Sequence, residues 1–316
     1  MKNVSFFRNV CIVFLVVLAV CKADGQAPEA TPAKPAKLTV VKPANIVVVL
    51  DVSDRLKKDK QIERDIKIIR YIVAHFQETF VKAHINKGRR AGPYRHRLIF
   101  AVPEQPVPIP ESSAAEHPKP YKVPSAIMEK LKIRDSGRML GFDEFKIKRD
   151  MLLQEIGKLY EFVQRDNPYT GADIWQWFKE DAAHYLREGS HNYIICLSDG
   201  YLKFTPAIEE ELKPGEFMEV GPWRDKEDWI NHIIHLLPTK KDFSKYDITF
   251  LMIEINLHRD KKSGKAFPYD FDIIKAHWEP WLESMGIKDP KFELQVPEEV
   301  LGDVISSFLV PHQGTK

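Results

Sequence analysis

The chain has 316 residues, of which 44% are hydrophobic, and its 47 basic and 45 acidic side chains give a formal charge of +2. The first 23 residues hold Lys2, Arg8 and Lys22 and no acid, so without them the charge becomes −1. That balance excludes the basic excess by which nucleic-acid binders hold phosphate, and 15 glycines leave little material for Gly-rich cofactor loops.

Residues 1–23 read as a secretory leader. A basic start with Lys2 and Arg8 precedes an apolar run from Val10 to Cys21, and Ala23 offers a small residue for cleavage. A membrane-spanning helix needs ~20 apolar residues, more than this run supplies, and no later stretch is apolar enough to span. The chain is therefore expected to be exported, to the periplasm or the extracellular space. Cys21 keeps open a lipid anchor. Cys11 and Cys21 fall in the leader, leaving Cys196 without a disulfide partner; inside an apolar run it reads as a small buried hydrophobe. Residues 24–44, with Pro28, Pro32, Pro35 and Pro43, read as an extended tether.

A first strand is expected over Asn45–Leu50. Ile62, Ile66, Ile69, Val73, Phe76 and Phe80 then recur three or four apart, which is one face of an amphipathic helix. His96–Val102 reads as a second strand. Seven prolines between Pro103 and Pro124 rule out helix or central strand there, and mark an insert at about 103–142. Helical spacing returns from Asp143 to Arg165, and a second helix follows Asp173 with Trp175 and Phe178. A strand starts at Tyr193. A second insert spans about 201–224, then a helix Asp225–Leu237, a strand Ile248–Ile255, a helix Asp270–Met285, a strand Phe292–Val296 and a last helix Pro297–Phe308. Strands alternating with helices predict an α/β domain over 45–310: a Rossmann-like, doubly wound, mostly parallel sheet with long irregular inserts, followed by a tail at 311–316.

Two segments concentrate the chemistry. Ile46-Val47-Val48-Val49-Leu50-Asp51-Val52-Ser53-Asp54 and Tyr193-Ile194-Ile195-Cys196-Leu197-Ser198-Asp199-Gly200 are apolar runs that end in an acid. Ligands of open parallel sheets bind just past the carboxyl ends of the strands, so Asp51 and Asp199 are expected at one crevice. This pattern resembles the von Willebrand factor A-like family. There, an Asp-x-Ser-x-Ser turn, a Thr from a middle loop and a strand-end Asp hold a divalent cation, which takes its last ligand from an acidic side chain of the partner. The resemblance implies Asp51, Ser53, Asp199 and Thr170 as ligands of Mg²⁺ or another divalent cation.

The sequence departs from that pattern at two points. Arg55 stands at the third turn position, and a guanidinium donates hydrogen bonds only and ligates no metal. The stretch Tyr169-Thr170-Gly171-Ala172-Asp173-Ile174, aligned on Asp173-Ile174, puts Ala172 at the Thr position, so Thr170 serves only after a shift of two residues. Three arrangements stay open: a metal, an Arg55 side chain paired with Asp51 or Asp199 in its place, or simple helix and turn capping by the two acids. Arg55, Asp54, Asp173, Trp223 and Trp229 are the candidate binding residues around the crevice. Trp175, Trp177, Trp278 and Trp281 read as core, and Glu254 as an acid turned to solvent at a strand end. His232 and His235 are one helical turn apart, without a third ligand implied.

No Gly-x-Ser-x-Gly elbow or phosphate loop is present. The expected function is recognition of a protein partner through the crevice and its inserts. A metal-dependent hydrolase using Asp51 and Asp199, or a structural component of an envelope or transfer assembly, remains the alternative.

Overall fold

The computed structural model describes residues 42–82, 96–103, 131–132, 134–135, 138–139, 141–166, 171–202, 224–232 and 240–311. The leader, nearly all of the tether, Thr170, Trp223, His235 and most of both inserts lie outside the described residues. Five strands run parallel in the order β2-β1-β6-β7-β8: β1 is Ala44–Leu50, β2 Arg97–Ala101, β6 His191–Leu197, β7 Asp247–Ile255 and β8 Lys291–Leu294. A short strand β3, Leu131–Lys132, adds antiparallel to the β2 edge, and β4 (Arg134–Asp135) and β5 (Arg138–Met139) pair only with each other. The sequence reading had no strands within this insert. The five-stranded parallel sheet flanked by helices is an α/β Rossmann-like fold.

The sequence explains the layers. All seven residues of β1 and all seven of β6 are buried, the mark of strands covered on both faces. Alternation sorts them: Ile46, Val48 and Leu50 with Tyr193, Ile195 and Leu197 enter one core, while Val47 and Val49 with Ile194 and Cys196 enter the other. The first core is closed by α1 (Gln61–His75), which runs on into a π-helical stretch Phe76–Lys82, by α2 (Phe142–Asp166) and by α5 (Leu301–Phe308). The second is closed by α3, helical over 174–185, and by α4 (Asp270–Ser284). The predicted stripe of α1 is the packed one, with Ile69, Val73, Phe76 and Phe80 buried and Ile62 and Ile66 partly so. Each fully buried Val, Leu or Ile of these strands contributes roughly 1.5–3 kcal/mol.

Trp175, Trp177, Trp278 and Trp281 are core residues, as expected. Cys196 is fully buried, and burial raises its thiol pKa far above the ordinary value. The helix expected from Asp225 differs: over 224–232 the chain forms turns and a single 3-10 turn, Trp229–His232. Residues 225–228 and 230–232 are exposed, Ile230 by 64%, so this first part of the expected helix buries only Trp229, and that in part; 233–237 lie outside the described residues.

The topology fixes where a site can lie. Successive parallel strands leave β1 on opposite sides, to β2 and to β6, and the reversal of strand order opens a crevice between the carboxyl ends of β1 and β6.

Candidate functional site

Register delivers both acids to that crevice. Leu50 pairs with Leu197, and the Asp51 amide donates to the Leu197 carbonyl at 3.0 Å, so Asp51 and the Ser198-Asp199 pair leave the sheet side by side. Asp51 is 3% and Asp199 8% exposed. The Asp51 carboxylate accepts the Ser53 amide on Oδ1 at 3.0 Å and the Ser198 hydroxyl on Oδ2 at 2.8 Å. Burial, reinforced by the nearby Asp199 charge and opposed by Arg55, raises its pKa. Ser53 Oγ accepts the Arg55 amide at 3.5 Å and so caps the 3-10 turn Asp54–Lys57, on which Asp54 is exposed.

Arg55 points inward. It is 2% exposed, and its Nε donates to the Asp51 carbonyl at 2.7 Å and lies 3.6 Å from Asp51 Oδ2. Its two terminal nitrogens form a fork on Asp65, at 3.3 Å and 2.5 Å. Asp65, on α1, also accepts Gln61 Nε2 at 2.9 Å and the Tyr160 hydroxyl at 2.8 Å. Burial works against the Arg55 charge, but Asp65 and Asp51 outweigh it and hold the guanidinium pKa above its ordinary value.

Glu254 corrects the sequence reading. It is fully buried and not turned to solvent. A β-bulge between Met252 and Ile255, with Glu254 at φ 75°, turns its side chain towards α1 and sends Ile255 to the opposite core. Arg64 there grips it with Nε at 2.9 Å and a terminal nitrogen at 2.7 Å, and Gln61 and Gln295 add donors at 3.0 and 3.2 Å. Burial alone would raise this carboxyl pKa; Arg64 and the two amides outweigh it and hold the pKa below its ordinary value.

The rim is closed by Lys58, whose ammonium donates to Asp199 Oδ2 at 3.3 Å and to the Asn256 carbonyl at 3.0 Å, joining the ends of β6 and β7. Asp173, a candidate binding residue, is fully buried and caps α3 by accepting the Gln176 amide at 2.7 Å. Ala172 is packed in the second core. Trp229 is half-buried, with its ring 6.4 Å from that of Tyr269. Tyr201, just beyond Gly200, donates its hydroxyl to the buried Asp270, which also receives Arg224 Nε at 2.9 Å and a terminal Arg224 nitrogen. The His258 amide donates to the Tyr201 oxygen at 2.9 Å.

Among the described residues, the groups around Asp51 and Asp199 suit an internal cation rather than a divalent metal. Both Asp51 oxygens accept protein donors, a guanidinium stands against one of them, and an ammonium holds Asp199. A fixed charge about 4 Å from a divalent ion opposes it by several kcal/mol even at an effective dielectric of ~20, as much as millimolar affinity supplies, ~4 kcal/mol. Arg55 alone was legible as an intruder in the turn. Asp65, its main partner, was missed, although an acid in register with Ile68, Ile69 and Ile72 on a buried helix face was the available signal. Lys58, Gln61, Arg64, Tyr160 and Ser198 were missed with it.

No protein-family model matches the sequence, and no curated protein matches it.

Proposed function

We propose that the chain is an exported binding protein of the von Willebrand factor A-like type, recognising a protein partner through the crevice at the carboxyl edge of the sheet, without a metal. The observation that carries this reading is the pairing of the crevice charges within the chain: Asp51 with Ser198 and Ser53, Arg55 with Asp65, Lys58 with Asp199. A floor whose polar groups hold one another in place is rigid and preorganised, which favours recognition because little ordering is required on binding. The loops above a rigid sheet are where such contacts concentrate.

The test is site-specific photo-crosslinking in the native cells with the full chain. A crosslinking side chain at Asp54 or Lys57, both exposed at the crevice, should give one defined protein adduct. The same group at Lys288, exposed near the amino edge of β8, should give none. The same adducts from both edges, or no adduct from the crevice, would refute the reading.

A further inference from the structure

Beside the crevice, on the turn that follows β1, charges are arranged differently from those on its floor, and this outer rim meets the crevice at Lys58, which holds Asp199. A cavity of about 590 Å³ opens between the 3-10 turn after β1, the start of α1 and the end of α2. Four bases line it, Lys57, Lys58, Lys60 and Arg165, against two acids, Asp59 and Glu63. Lys58 is engaged by Asp199 and the Asn256 carbonyl. Among the described residues, Lys57, Lys60 and Arg165 form no ion pair, and all three are exposed. Beneath the rim Asp51, Asp65 and Asp199 face Arg55 and Lys58, so the buried floor adds no attraction for an anion and the exposed bases must supply all of it.

We propose that this rim is the contact surface for an acidic segment of the protein partner, with Lys57, Lys60 and Arg165 receiving its carboxylates. The proposal rests on the crevice reading above and specifies its chemistry. Three cations spread around one cavity present separate charges to separate acids, which suits carboxylates spaced along a peptide. Asp59 and Glu63 in the same wall penalise a dense, stiff anion such as a sulfated glycan more than a flexible peptide, whose single carboxylates can turn away from them. The attraction is local, since the chain without its leader carries a formal charge of −1. Rim charges of this kind act through encounter rate and selection of partner, and their contribution is sensitive to salt.

Fluorescein-labelled decaglutamate is the probe, titrated into the full chain with anisotropy as the readout. Affinity should fall at least roughly tenfold between about 50 and 300 mM salt, as screening of exposed charges requires. The variant Lys57→Glu/Lys60→Glu/Arg165→Glu should bind at least roughly tenfold more weakly than the native chain at low salt. Reversing three bases of another cavity, Lys245→Glu/Lys288→Glu/Lys291→Glu, should change affinity by less than about twofold. The three-glutamine version of the rim variant serves the same comparison if charge reversal lowers the melting temperature. Equal weakening by both triple variants, absence of binding by the native chain, or stronger binding of heparin than of decaglutamate through the same three residues would overturn the proposal. The crosslink separates the two readings. An adduct from position 54 that survives the rim variant undiminished overturns the acidic partner and leaves the crevice reading standing. Loss of that adduct together with weaker peptide binding supports both.

Discussion

Replacing Arg55 by Met tests whether the guanidinium is the internal counter-charge of the crevice. Its side chain is 1% exposed and that of Asp65 0%, so the substitution leaves a buried carboxylate without its cation in a site of little altered volume. Removing one member of a buried pair costs about 3–5 kcal/mol. Gln61 and Tyr160 continue to donate to Asp65, which places the expected loss near the lower end, about 3 kcal/mol. For a chain of this size that is a fall in melting temperature of roughly 6–12 °C. Urea unfolding followed by circular dichroism should show the loss as a lower midpoint at unchanged slope. The double variant Arg55→Met/Asp65→Leu should recover at least about half of it, giving a coupling energy above roughly 1 kcal/mol, because the stranded charge is gone. The sign with pH is fixed by Asp65, whose folded pKa burial already raises. Without Arg55 its penalty is fully present above the folded pKa and diminishes as pH falls towards the unfolded value. The defect of Arg55→Met should therefore narrow on acidification. A loss below about 1 kcal/mol, or strict additivity in the cycle, would refute the role assigned to Arg55.

Calorimetry with Mg²⁺ should show no millimolar binding by the native chain, whereas Arg55→Ser/Ala172→Thr should create binding; tight native binding that vanishes in Asp51→Ala would refute the misfit of the crevice to metal. Glu254 has a folded pKa below its ordinary 4.5, so its contribution is present above that value and lost as pH falls through the folded pKa. Glu254→Gln should thus lower the melting temperature at neutral pH and flatten its fall below about pH 4.5, and an unchanged acid limb would count against the Arg64 pairing. Gly200 sits at φ +85° with the Ile274 Cγ2 atom 2.9 Å from where a Cβ would stand, whereas Gly189, at φ +72°, has open space. Gly200→Ala should cost roughly 1–3 kcal/mol and Gly189→Ala measurably less, both read by urea unfolding; the reverse order would contradict the packing at the end of β6. If residues 1–23 act as a cleaved leader, N-terminal sequencing of the mature chain should find a start between Asp24 and Ala27, whereas an acylated Cys21 at the new terminus would show a lipid anchor instead.

The strands were legible because each central one is an apolar run buried on both faces, and the acids that end β1 and β6 followed from chain direction alone. The stripe of α1 was equally readable, since one face of Ile, Val and Phe can pack only one way. The pairing of charges was not. Arg64 and Glu254 are 190 positions apart, and nothing local to Glu254 announces the bulge that turns it. Simple alternation along β7 puts Glu254 on the face of Met252; the backbone at φ 75° reverses that assignment, and a positive φ at a non-glycine residue leaves no trace in composition. The helix expected over Asp225–Leu237 departs in its first part, where 224–232 form turns and a 3-10 turn with Ile230 exposed, and 233–237 lie outside the described residues. Arg55 could be recognised as foreign to a metal site, but its orientation depended on Asp65, whose inward position is a property of the helix packing.

The clasp of Tyr201 and Arg224 on Asp270 has a consequence for how this molecule can change. Residues 23 positions apart in the chain return to one buried carboxylate beside the crevice. Whatever lies between them begins and ends at a point fixed by the sheet and by the first turn of α4. Doubling the length of such a closed excursion costs only ~0.6 kcal/mol in closure entropy. By that measure a change in the number of residues between the two anchors is a small cost beside the clasp that holds them. The fold thus holds a constant frame at this edge, and the clasp fixes the two points between which chain length can vary.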